Sequence, residues 1–311
     1  MKPDLFNKAV LSSQLSTPRA HVVAIGEVLW DLYDHSRRLG GATLNFGAHS
    51  RRLGHTVSLI SAVGRDELGV QAVEMITALD LDTRLFQTTS RYPTGTAEVR
   101  IGSDGKPKFS IARPAAYDGV ELTSDDLETL RQQRPAWFYY GTLFAATDTG
   151  KEVLYQLLTG LEDARTFYDL NLRPGADSPK LVRELLLHAD VVKLNEEELT
   201  RVRELMELPA GMEAFCREGR DRFGWDAVGV TLGDRGCAIF ANGEYAEAAG
   251  HPVDVVDTVG AGDAFAAAFM HGLSLKWTTE KIASFANRVG ALVASRHGAI
   301  PEWSLEEAVK L

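Results

Sequence analysis

Between Asp257 and Gly272 the chain reads DTVGAGDAFAAAFMHG, a turn almost stripped of side chains that runs straight into an alanine-rich segment. Gly260, Ala261 and Gly262 leave their backbone N–H groups open to a polyanion, and the first turn of the following helix adds its partial positive charge. Asp263 stands at the entrance of that helix. An aspartate there is ordinary as an N-terminal charge or cap, but capping does not account for the bare turn before it. A site that sets a transferring phosphoryl group beside an aspartate base needs both features.

The segment Asp257-Thr258-Val259-Gly260-Ala261-Gly262-Asp263-Ala264-Phe265 resembles the C-terminal signature of the ribokinase-like (PfkB) sugar kinases. A second element, Gly40-Gly41-Ala42-Thr43-Leu44-Asn45, resembles that family's sugar-binding Gly-Gly-x-x-x-Asn, and the two occur in the expected order. Glycines at 40 and 41 let backbone approach a polyol, and Asn45 offers both a donor and an acceptor to a hydroxyl. The resemblance makes Asp31 the acidic residue that accepts hydrogen bonds from the sugar. It also implies a nucleotide half. Lys193-Leu194-Asn195-Glu196-Glu197-Glu198 carries an Asn-x-x-Glu pattern that makes Asn195 an ATP contact and Glu198 a residue orienting magnesium-bound water. Thr231-Leu232-Gly233-Asp234-Arg235-Gly236 resembles the turn beside the ATP phosphates and ribose, with Thr231, Gly233 and Gly236 as its contacts. Asn287 matches a position beside adenine in relatives, and Asn171 is assigned to ATP. The cofactors implied are ATP and Mg²⁺, and many relatives also hold K⁺ beside the anion hole, with Asp257 as its candidate ligand here.

Short apolar runs must position these residues: HVVAIGEV from His21, WFYYG at Trp137–Gly141, TFYDLN at Thr166–Asn171, DVVKLN at Asp190–Asn195 and AVGVTLG at Ala227–Gly233. Helical segments separate them, beginning with Thr43–Leu53, which closes on Gly54. That alternation predicts an α/β fold, a doubly wound and mostly parallel sheet flanked by helices, as the resemblance to ribokinase-like proteins also implies. Between residues 92 and 118 the rhythm breaks into two polar-alternating strands joined by Ser103-Asp104-Gly105-Lys106, a hairpin read as a small β lid over the site. Residues 1–20 read as an N-terminal extension and 21–311 as a single kinase domain.

The resemblance implies a small-molecule sugar and ATP as partners, and composition argues against larger polyanions. With 33 Lys and Arg against 43 Asp and Glu, the chain lacks the basic excess that nucleic acid or an anionic membrane surface would call for. No apolar stretch approaches the roughly 20 residues of a membrane span, no signal-peptide layout opens the chain, and Cys216 and Cys237 match no metal-ligand spacing; a cytoplasmic protein with reduced thiols is expected. A homodimer stays open. Two other classes are weighed. A dinucleotide-dependent dehydrogenase would need further glycines after Gly26, where Glu27-Val28-Leu29 stand, and a sugar sensor without turnover would not need Asp263. For the substrate, Asp169-Leu170-Asn171-Leu172-Arg173-Pro174 is similar to a segment of both fructokinases and 2-keto-3-deoxygluconate kinases, where Arg173 could pair with phosphate or a sugar-acid carboxylate. Fructose is preferred, with the keto-acid as the alternative.

Overall fold

The computed structural model describes residues 20–101 and 107–311. Apart from Ala20, the expected N-terminal extension lies outside the described residues, as does the Ser103–Lys106 turn of the lid hairpin. The strands are His21–Ile25 (β1), Leu29–Tyr33 (β2), Ser36–Gly40 (β3), Thr56–Gly64 (β4), Phe86–Thr89 (β5), Gly95–Ile101 (β6), Pro107–Ile111 (β7), Trp137–Gly141 (β8), Arg165–Asp169 (β9), Val191–Asn195 (β10), Ala227–Thr231 (β11), Gly236–Ala241 (β12) and Glu244–Ala249 (β13). Nine of them form one sheet in the order β13-β12-β11-β10-β9-β8-β1-β4-β5. All its pairings are parallel except those of β12 with β11 and with β13.

Strand periodicity explains why the sheet is covered on both faces. Along β1, Val22 and Ala24 join one hydrophobic core while Val23 and Ile25 join the other; along β8, Trp137 and Tyr139 divide from Phe138 and Tyr140 in the same way. Helices Ala42–Arg52, Ala261–Ser274 and Thr279–Ala294 cover the first face. Asp148–Gly160, Pro179–Leu186, Glu196–Met206 and Met212–Phe223 cover the second, where Cys216 is buried. Strand order reverses at β1, which has β8 on one side and β4 on the other, and in such folds ligands bind beyond the carboxyl ends of the strands at that point.

The lid is larger than the hairpin read from sequence. A second sheet has the order β3-β2-β6-β7, so the chain from Leu29 to Gly40 contributes half of it. The first core strand accordingly stops at Ile25 instead of running on to Val28: after Gly26 the backbone turns away from the core and enters β2. A dinucleotide-binding unit would continue from that turn into a helix. The following helix spans Ala42–Arg52, one residue earlier than expected at each end, with Leu53 as its C-terminal cap.

Candidate active site

Two cavities meet at the N-terminus of helix Ala261–Ser274. The first, about 260 Å³, is lined by core residues Glu27, Asn45, Asn171, Arg173, Lys193 and Asp263 and roofed by Asp31, Ala97 and Ile111 from the lid sheet. The second, about 570 Å³ and largely apolar, runs over Gly233, Asp234, Gly236, His251, Phe265, Asn287 and Ala291. Thr231, Thr258 and Gly262 line both.

At the junction, Gly260 has φ 80°, and a Cβ there would fall 2.4 Å from the Ala299 carbonyl oxygen, so only glycine lets the turn lie this close to the 298–300 segment. That segment is held from the far side by His49. Its Nδ1 accepts from Trp303 Nε1 at 3.0 Å, which leaves the proton on Nε2 to donate to Ala299 O at 2.9 Å. Burial keeps His49 neutral, with a pKa lowered to about 4. No side chain caps the helix that begins at Ala261. Ala261 N donates to Thr258 O at 3.3 Å, and among the described residues the N–H groups of Gly262 and Asp263 that follow it are left for an anion.

Asp263 is only 8% exposed and accepts a 2.8 Å hydrogen bond from Asn45 Nδ2. Burial is the main reason its pKa rises to about 6, with Asp169 and Glu27 adding to the rise and Lys193 and the Asn45 hydrogen bond opposing it. Asn45 Oδ1 is buried with no hydrogen-bond partner among the described residues, and so is Asn171 Nδ2; an acceptor and a donor are left for a ligand that brings hydroxyl groups. Gly41 enables the approach of helix Ala42–Arg52, since at φ 108° a Cβ would lie 2.4 Å from Glu27 O. Gly40 sits against both Asp31 and Asn45. Asp31, on β2, has a pKa raised to about 7, first by burial and then by Asp263, Asp257 and Glu27, with Arg173 opposing the rise.

Three buried groups at this site were not singled out from the sequence. Lys193 on β10 forms a 2.9 Å ion pair with Asp169 on β9. Burial works against its charge, yet Asp169, Glu198 and Asp263 hold its pKa above the ordinary lysine value. Glu27 accepts from Ala42 N at 3.0 Å, and burial raises its pKa. Lys193 directly precedes the Leu-Asn-Glu-Glu-Glu run and Glu27 directly follows Gly26, so adjacency to the motifs was the available signal.

Several expected residues sit differently from their assignment. Asn171 and Asn195 line the first cavity and not the second, because the second begins only at the end of β11, whose Thr231 lines both. Asn195 Oδ1 is engaged as the N-cap of helix Glu196–Met206, accepting from Glu198 N at 2.9 Å. Glu198 lines neither cavity; its oxygens accept from Leu172 N at 2.8 Å and Asn195 N at 2.9 Å, tying the β9 and β10 ends together. Each oxygen keeps a further lone pair, which fits an outer role toward metal-bound water and not direct ligation. Asn287 lines the second cavity and donates to Ala249 O at 2.7 Å. Asp257 fits a potassium ligand poorly: Oδ1 accepts from Val259 N, Oδ2 accepts from Gly298 N and from Arg38 Nη1, and a guanidinium already stands against the carboxylate.

A bare helix N-terminus between a polar, lid-covered cavity and a larger apolar one, with a buried aspartate at the junction, belongs to an ATP-dependent carbohydrate kinase. The family model described as pfkB family carbohydrate kinase matches residues 20–306, and the chain belongs to that family. It is 28% identical over 300 residues to a fructokinase of Escherichia coli, covering 90% of this chain and 95% of that one. Among solved structures, a 2-dehydro-3-deoxygluconokinase of Thermotoga maritima superposes with a TM-score of 0.81 at 22% identity, covering 94% of this chain and 98% of its own. An uncharacterized sugar kinase of Pyrococcus horikoshii in complex with ATP gives 0.78 at 26% identity, covering 93% and 97%.

Proposed function

We propose that the chain transfers the γ-phosphoryl group of ATP to a hydroxyl of fructose. The observation that carries the choice of a neutral ketohexose is the charge of the first cavity. Glu27, Asp31 and Asp263 line it against Arg173 and Lys193, and Lys193 is already matched by Asp169. An anionic sugar acid entering there adds a negative charge among carboxylates, which costs binding, whereas polyol hydroxyls supply the donors that Asp31 and Asn45 Oδ1 can accept. The E. coli fructokinase similarity supports the same reading.

In this mechanism Asp263 takes the proton of the attacking hydroxyl, and Asn45 fixes the carboxylate that receives it. The amides of Gly260 and Gly262 face the charge that builds on the transferring group, with the Ala261 amide between them shared with Thr258 O. Lys193 adds a positive charge beside them; a Cβ placed on Gly262 would lie 3.2 Å from its Nζ. Adenine and ribose take the second cavity, with Gly233 and Gly236 allowing close approach and Asn287 on its wall. Mg²⁺ bound with ATP would neutralise phosphate charge, held mainly by phosphate oxygens and water with Glu198 in the outer shell. The lid sheet keeps water from the transferring group.

The alternative acceptor, 2-keto-3-deoxygluconate, is favoured by one residue, Arg173, whose guanidinium lines the same cavity. ADP release measured with a panel of both sugars and related hexoses separates the two. A kcat/KM for fructose at least tenfold above that for the keto-acid is expected, and the reverse order overturns the fructose reading.

A further inference from the structure

The anion-hole turn starts at Asp257, and a carboxylate this near to phosphate-binding amides opposes the anion they would hold. Asp257 is not left uncompensated. Arg38 reaches it from β3 of the lid, where it lies opposite Asp31 in the register with β2. The Arg38 guanidinium is also 5.2 Å from the centre of the Tyr33 ring, which orients it. The same carboxylate accepts from Val259 N at 3.1 Å and from Gly298 N at 3.1 Å, so one ion pair joins the lid, the turn before the helix and the 298 segment.

A potassium ion is held by oxygens that replace its hydration shell. At Asp257 the guanidinium takes the coordinating direction of Oδ2 and repels a second cation, and an arginine keeps its charge at every working pH.

We propose that Arg38 is the built-in cation of this anion hole. It neutralises Asp257 and steadies the turn that receives the nucleotide phosphates, so nucleotide binding and turnover do not depend on a monovalent metal ion at Asp257. Because the cation belongs to the lid, the phosphate site is completed only with the lid in place. Arg38 is a positioning residue, acting through Asp257, and the proposal rests on Gly260–Gly262 being the phosphate site.

The test uses the full chain in buffers whose sole monovalent cation is either K⁺ or tetramethylammonium. ADP release is followed with ATP and the best sugar, and binding of a non-hydrolysable ATP analogue is followed by calorimetry. Wild-type rate and affinity are expected to agree between the two salts within about twofold. Arg38→Met is expected to weaken analogue binding about tenfold in tetramethylammonium and to regain part of the loss in K⁺, while Arg38→Lys, which keeps the charge but not the planar contact with Tyr33, loses less than Arg38→Met in tetramethylammonium. A wild-type rate or affinity that falls tenfold or more on removing K⁺ overturns the proposal. So does an Arg38→Met variant that binds the analogue in tetramethylammonium as the wild type does. Circular dichroism checks folding of the Met variant, and the wild-type salt comparison decides without it. The calorimetric arm needs no turnover, so a wrong sugar leaves this test intact.

Discussion

The two cavities differ in how they are built. The first is polar and charged, with Asp31 from β2, Asn45 from helix Ala42–Arg52, Asn171 and Arg173 from the loop after β9, and a roof from a second sheet; Asn45 Oδ1 and Asn171 Nδ2 are unpartnered among the described residues. The second is mostly shape: small residues at 233, 236, 261, 290 and 291 and one buried asparagine that is engaged with backbone. Discrimination among sugars therefore rests on side-chain hydrogen bonds, whose loss leaves buried polar groups unpaired, while nucleotide binding rests on space and backbone groups. Substitutions on the two sides should separate cleanly in the kinetics.

The strongest test lies at the junction. Asp263→Asn should lower kcat by roughly 10²-fold or more while both substrates bind within a few-fold, as steady-state kinetics and calorimetry would register. A near-normal kcat would remove Asp263 as the base. On the sugar side, Asp31→Ala should reduce kcat/KM for fructose by roughly 10- to 100-fold, equivalent to about 1–3 kcal/mol, with the KM for ATP unchanged. Parallel losses for both substrates would erase the proposed division. The pH profile comes next. The base must be ionised to act and its pKa is raised to about 6, with Asp31 at about 7, so kcat/KM for the sugar should fall as pH drops through the interval between those values. Asp263→Asn should remove the lower part of that limb, near pH 6, and leave the part near pH 7 that belongs to Asp31. The smallest effect belongs to the second cavity. Ala291→Leu should raise the KM for ATP about three- to tenfold by filling space, with fructose kinetics scarcely altered.

Legibility in the sequence followed the same division. The Gly260–Asp263 motif and the βα alternation were readable because each is a local pattern with a single physical reading: bare amides ahead of a helix, and apolar runs between capped helices. The lid was half seen. Its β6–β7 hairpin alternates plainly, but β2 and β3 read LWDLY and SRRLG, short and charge-bearing, and nothing local marks β2 as the partner of a strand more than 50 residues away. Lys193 was passed over because its meaning depends on register: only the pairing of Lys193 with Asp169 across β10 and β9 makes it an ion pair and not an exposed lysine. Glu198 was read toward metal-bound water alone; that it also closes a capping box and accepts from Leu172 N took hydrogen-bond geometry to see. The Arg38 to Asp257 contact joins residues 219 positions apart, beyond any spacing rule.

Helix Ala261–Ser274 is buried continuously from Asp263 to Leu273, with Phe269 packed over Gly229 of β11. Almost any mutation along it would disturb the interior, so the catalytic end of the helix is anchored by residues that have little freedom to drift. The lid is less constrained: Leu29, Trp30, Leu39, Ala97 and Val99 are buried, but Arg37 and Glu98 between them face solvent. New acceptors are therefore reached most cheaply by rewriting the two hairpins above the cavity, and laboratory libraries aimed at a different sugar belong in residues 29–40, 95–101 and 107–111, with the helix left as it is.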